Sequence, residues 1–145
     1  MILKADPWYD AMNKEEMERF LKEPLIMRLA VIDNDNYPLV HPVWYIYKDG
    51  ELLVLSNKES KKVKIIRNNK KVYFTIDIDK PTGVRGKGDA MLIEDQKLAL
   101  SLMKEMIIRY IGSLESKVSK MLLNEASESV VIKIKPRFFA TWIYR

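Results

Sequence analysis

Between Leu25 and Arg67 the chain reverses at two dense turn signals, and those reversals restrict the fold more than any other feature of the sequence. Leu25 to Asp33 reads as a strand, with Ile26, Leu29, Val31 and Ile32 as candidates for burial. Asp33-Asn34-Asp35-Asn36 follows, a cluster whose side chains bond their own backbone in turns. Tyr37 to Tyr47 is a second strand rich in β-branched and aromatic residues. Lys48-Asp49-Gly50 is a second hairpin signal, and Leu52 to Leu55 a third strand that stops at Ser56-Asn57. Strands joined by turns this short run antiparallel.

The remaining elements fit around that meander. Residues 11–22 read as a helix with Asn13 as N-cap, Glu15 and Glu16 in the first turn, and Met17, Phe20 and Leu21 on one face. A second helix starts near Ser60 and buries Val63, Ile65 and Ile66. Val72 to Ile78 alternates as a strand, and Val84 to Glu94 returns as a long one containing Gly86 and Gly88. Those glycines mark a bulge or barrel corner, or a place where a ligand meets backbone. Leu98, Leu102, Met106 and Tyr110 recur every fourth residue, giving a helix from Asp95 to Ile111 with Gly112 as C-cap. Ser113 to Asn124 is a further helix, and the strands Ser129 to Lys135 and Phe138 to Ile143 close the chain. The expected fold is a mainly β domain over residues 1–145, a small closed barrel of antiparallel, Greek-key-like strands with helices packed outside and a helical insertion at 95–124.

Composition narrows the chemistry. The 145 residues carry a net charge of +5 with both signs interspersed, and 48% are hydrophobic, which suits a globular domain. There is no cysteine and one histidine, His41, so disulfides, thiolate chemistry and His-rich metal clusters are excluded. The N-terminal stretch has no long apolar run, which points to a soluble, cytoplasmic protein. Asp77 and Asp79 share a face if their strand continues that far, as a polar strand end or a carboxylate site. Pro42 removes a ladder hydrogen bond and places its strand at an edge or bulge. Trp44 and Tyr45 face opposite sides of that strand.

The stretch Leu52 to Arg67 is the most informative for function. A strand ends in a hydroxyl and an amide, and a helix opens with Lys61, Lys62 and Lys64. Free N–H groups at such a helix start favour an anion, and first-turn lysines suit a phosphate. The alternative is an ordinary basic surface helix. A third reading is a basic barrel binding single-stranded nucleic acid through Trp44, Tyr45, Tyr47, Tyr73 and Phe74.

From Leu25 to Trp142 the sequence resembles the pyridoxamine 5′-phosphate oxidase-like family of FMN-binding split β-barrels. Pro38-Leu39-Val40-His41-Pro42-Val43-Trp44 falls on the family's proline-bearing second strand. Ser56-Asn57-Lys58-Glu59-Ser60-Lys61-Lys62 falls on its phosphate motif, with serine for threonine and lysine for arginine. The resemblance implies that Ser56, Ser60, Lys61 and Lys62 hold the FMN phosphate. It sets His41 where the oxidases have an arginine facing the cofactor, and runs the Pro42, Val43 and Trp44 backbone along the isoalloxazine. The family's ring-contacting glutamine falls near Gly83 or Val84, leaving Arg85 as the nearby cation. Trp142 matches a closing tryptophan that approaches the cofactor across a homodimer interface. Some relatives bind a deazaflavin coenzyme or haem instead of FMN. True pyridoxamine phosphate oxidases continue past this tryptophan into an Arg-x-His segment, whereas this chain stops at Arg145. The resemblance therefore implies a flavin oxidoreductase with a different small-molecule substrate, or a flavin-binding protein without turnover, and no metal site.

Overall fold

The two reversals read from the sequence open a single curled sheet in the computed structural model, which describes residues 1–145. In chain order the elements are β1 (Ile2–Lys4), α1 (Lys14–Leu21), β2 (Met27–Ile32), β3 (Pro38–Val43), β4 (Ile46–Lys48), β5 (Glu51–Asn57) and α2 (Lys61–Asn68). They continue with β6 (Lys71–Ile78), β7 (Thr82–Ile93), α3 (Gln96–Tyr110), α4 (Lys117–Glu125), β8 (Ser129–Pro136) and β9 (Phe139–Trp142). The strand order is β3-β2-β6-β7-β8-β5-β4, with β9 added beside β7 and β1 beside β9. All pairings are antiparallel except β1 with β9. β3 and β4 end this path, the Trp44-Tyr45 junction that joins them marks the seam of the split barrel, and β1 is a third edge.

Local chemistry explains most boundaries. Asn13 and Glu16 form a reciprocal capping box at α1, satisfying two backbone N–H groups. Asp49 and Gly50 both adopt positive φ, +52° and +78°, the backbone that a tight β4–β5 hairpin needs. The interior is filled by Leu29, Tyr45, Leu52, Phe74, Ile76 and Ile132, while α1 and α2 cover it with Leu21, Val63 and Ile66. α3 lies outside, packing Ala99, Leu102 and Met106 on Ile46 and Val131.

Four expectations change. In β2 the buried residues are Met27, Leu29 and Val31; Ile26 is only half-buried and Ile32 exposed, because strand alternation is phased from Met27. The Tyr37–Tyr47 strand is two, broken at Trp44-Tyr45, where the Tyr45 N–H donates to the Tyr110 hydroxyl at 3.2 Å. β5 does not stop at Ser56-Asn57 but runs through them, paired with Val130 and Ser129. β1 is an additional strand, paired parallel to β9 across almost the whole chain length.

Gly86 and Gly88 serve backbone crowding. β7 pairs with β9 through Gly83–Arg85 and with β8 from Gly88 onward, so the chain between β8 and β9 must cross its edge there. A Cβ on Gly86 would run into the Phe138 carbonyl and the Phe74 ring, and one on Gly88 into the Lys135 carbonyl.

Candidate functional site

The end of β5 and the start of α2 form a compact polar corner. Ser56 is buried on the inner face, and its Oγ lies 2.8 Å from Ser60 Oγ. Ser60 is the N-cap of α2, accepting from the Val63 N–H at 3.4 Å, while Asn57 Oδ1 accepts from the Glu59 N–H at 2.8 Å. No acidic residue stands in the first turn of α2, and Glu59, just before the cap, is paired with Lys64 at 3.7 Å.

The two first-turn lysines diverge, because consecutive helix positions point about 100° apart. Lys61 is exposed and lines a cleft of about 320 Å³ with Asp33, Asp35 and Lys64. Lys62 is half-buried and lines a second cleft, of about 340 Å³, at the seam. Burial alone pushes the Lys62 ammonium below its ordinary pKa, with no carboxylate to compensate.

The edge strand β3 supplies the facing side. His41 pairs across from Leu29 on the inner face, and its Nε2 is buried without a hydrogen-bond partner. Burial first, then the charges of Lys62 and Lys61, hold His41 below its ordinary pKa. Pro42, Val43 and Trp44 line the seam cleft with Lys62; Leu55, Met103, Met106 and Leu122 complete it. The Trp44 ring stacks on Tyr110 at 4.7 Å between centroids and 1° between planes.

The neutral His41 has a measurable consequence. Its pKa is lowered in the folded chain, so the unfolded chain binds a proton more readily near neutrality. That share of stability is complete above about pH 6.5 and is lost as pH falls through the folded value. Melting temperatures between about pH 7.5 and about pH 5.5 should therefore drop further for the wild type than for His41→Gln. Parallel decreases would show that His41 is not the titrating group.

Arg85 and Trp142 lie elsewhere. Pro42, Arg28, Thr75 and Arg85 are consecutive cross-strand partners on the outer face. Three strand spacings put Arg85 about 14 Å from Pro42. Arg85 donates to the Tyr73 hydroxyl at 3.1 Å and to the Ala5 carbonyl at 3.4 Å. Trp142 pairs with Gly83, its Cζ2 only 2.5 Å from where a Gly83 Cβ would stand, so that position can carry no side chain. Asp77 is engaged by Arg28 at 3.6 Å. Thus one chain gathers His41, Pro42, Val43, Trp44, Ser56, Ser60, Lys61 and Lys62 around α2 and the seam, and leaves Arg85 and Trp142 outside. Met103, Met106 and Leu122 were not expected as cleft residues, because Met103 and Met106 belong to a helical apolar stripe that reads as core.

No curated protein matches the sequence significantly. Among solved structures, a conserved hypothetical protein from Mycobacterium tuberculosis is 25% identical with a TM-score of 0.83, over 98% of this chain and 91% of that one. An F420 reductase is 22% identical with a TM-score of 0.73, over 88% of this chain and 98% of that one. The heme storage protein HutZ from Vibrio cholerae shares the fold at 15% identity and a TM-score of 0.66, over 86% of this chain and 89% of that one. The family model for pyridoxamine 5′-phosphate oxidase matches residues 13–142. That match takes in the seam, the serine–lysine corner and the closing tryptophan, and the chain belongs to the pyridoxamine 5′-phosphate oxidase family.

Proposed function

We propose that the chain is a cytoplasmic, FMN-binding oxidoreductase that works as a homodimer on a small-molecule substrate. The observation that carries this reading is the set of unsatisfied groups beside α2. The Lys62 ammonium is half-buried without a counter-ion, and His41 Nε2 is buried without a partner. The Ser56–Ser60 hydroxyl pair lies at the same helix start. A phosphate would offer oxygens to each of these groups, and the free N–H groups of the helix start would add to them.

Each residue then has a task. Ser56, Ser60, Lys61 and Lys62 hold the phosphate, and His41 donates to it once protonated. β3 has a neighbour on one side only, so backbone groups along Pro42–Trp44 are free to orient a flat heterocycle. A bound flavin supplies hydride transfer, and the chain supplies binding, orientation and charge. Arg85 and Trp142 do not line the cleft that Lys62, Pro42 and Trp44 share, and Arg85 lies about 14 Å from Pro42. The outer face that carries them also exposes Val40, Tyr73 and Ile32. A second copy seated on that face would return both residues to a shared site, with Arg85 adding positive charge toward the reduced ring. No helix is long and apolar enough to cross a membrane.

The test is a titration of apoprotein with FMN and with riboflavin, followed by visible absorption. FMN should bind at micromolar concentration with a preference over riboflavin of about 100-fold, as expected for a phosphate held by charge-assisted hydrogen bonds. Absence of FMN binding overturns the reading; binding of a deazaflavin or of haemin in its place reassigns the cofactor. Bound flavin that no nicotinamide donor reduces identifies a carrier. A monomeric mass with FMN bound overturns the shared site.

A further inference from the structure

The last turn of α3 grips the seam at a point that the phosphate motif does not reach. Tyr110 lies flat against Trp44, one of the residues lining the cleft. Its hydroxyl donates to the Leu25 carbonyl at 2.6 Å and accepts from the Tyr45 N–H at 3.2 Å. The neighbouring Arg109 donates to the Leu21 carbonyl at 2.9 Å and to the Glu23 carbonyl, and its guanidinium sits 5.3 Å from the Tyr45 ring centre. One helix end therefore holds the exit of α1, the entry to β2 and the break between β3 and β4. Burial pushes both phenols upward in pKa, so they stay protonated across the neutral range.

Trp44 has no ladder partner, and an unclamped indole would sample several rotamers. The stack instead presents it as a fixed plane. We infer that Tyr110, supported by Arg109, is a positioning residue that holds Trp44 as a rigid flat wall of the seam cleft and so sets affinity for the cofactor's ring system. This rests on the flavin reading, whereas the clamp itself does not.

Two measurements separate those claims. In apoprotein labelled with 5-fluorotryptophan, Tyr110→Leu should shift and broaden the Trp44 fluorine resonance while leaving those of Trp8 and Trp142 in place. An unchanged Trp44 signal overturns the clamp whatever the cofactor. In flavin binding, Tyr110→Leu should weaken FMN and riboflavin alike, by about tenfold, the worth of one aromatic contact. Trp44→Leu should do the same, and the double variant should lose no more than either single one, because Tyr110 acts through Trp44. Tyr110→Phe, which keeps the stack, should recover most of the affinity. Additive losses, or a fall in melting temperature with flavin affinity intact, overturn the positioning role. Wild-type protein that binds no flavin defeats the flavin reading and leaves the fluorine result standing.

Discussion

Replacing Lys61 and Lys62 together by alanine should lower FMN affinity about 100-fold and leave riboflavin affinity within about twofold. A hydrogen bond from a charged donor contributes about 1.5–3 kcal/mol, and Lys61, being exposed, belongs at the low end. A combined loss of about 3 kcal/mol corresponds to about two decades in Kd. Riboflavin lacks the phosphate and gives those ammonium groups nothing to lose. Of the single variants, Lys62→Ala should have the larger effect, since its ammonium is half-buried and less screened by salt. Removing an uncompensated buried charge should also leave the melting temperature of the apoprotein unchanged or raised. Equal losses for the two ligands would show that the lysines do not read phosphate. This signature differs from that of Tyr110→Leu, which acts on the ring side and leaves the FMN-to-riboflavin ratio intact.

Gly86→Val should be strongly damaging to the sheet, lowering the melting temperature by about 10 °C. The cause is space, since Gly86 is not among the residues with positive φ. An added Cβ would run into the Phe138 carbonyl and would stand 2.8 Å from Phe74 Cζ. Phe74 cannot yield cheaply: it is buried and packs edge-to-face with Phe139 at 6.1 Å. Forcing extra atoms into such a site costs about 1–3 kcal/mol, with the upper end expected where backbone is struck. For a chain of this size that is about 10 °C. Gly50→Ala is the matched control, because Gly50 has open space around it and only its φ of +78° opposes a side chain. Its cost should be about 1 kcal/mol. Thermal melts of the two variants decide the matter, and a Gly86→Val protein that melts with the wild type would refute the crowding argument.

Which elements exist was legible wherever a few neighbouring residues settle the conformation. Asn13 with Glu16, Ser60 at the start of α2, Asp95 at the start of α3 and the Asp49-Gly50 hairpin are complete within four residues of chain. The serine–lysine corner was legible for the same reason: a strand end, a cap and a first helical turn are adjacent in sequence. Pro42, which lacks the N–H that an interior strand would need, narrowed β3 to an edge or a bulge, and β3 is an edge. These short-range features are what the sequence by itself determined.

Tertiary structure decided the rest, because the deciding groups are far apart along the chain. Tyr110 sets the break after β3 from 65 residues away. Nothing local marks β1, whose partner β9 lies at the other end of the chain. The facing of β2 is set by cross-strand neighbours, which bury Met27 and leave Ile32 outside. Lys61 and Lys62 are adjacent in sequence, yet helix geometry sends them to different clefts. Arg85 and Trp142, grouped with the site by resemblance, stand on the outer face, because strand register places them there. Local propensity decides which segments become strands and helices; only packing decides which of their faces meet, and so which residues share a site.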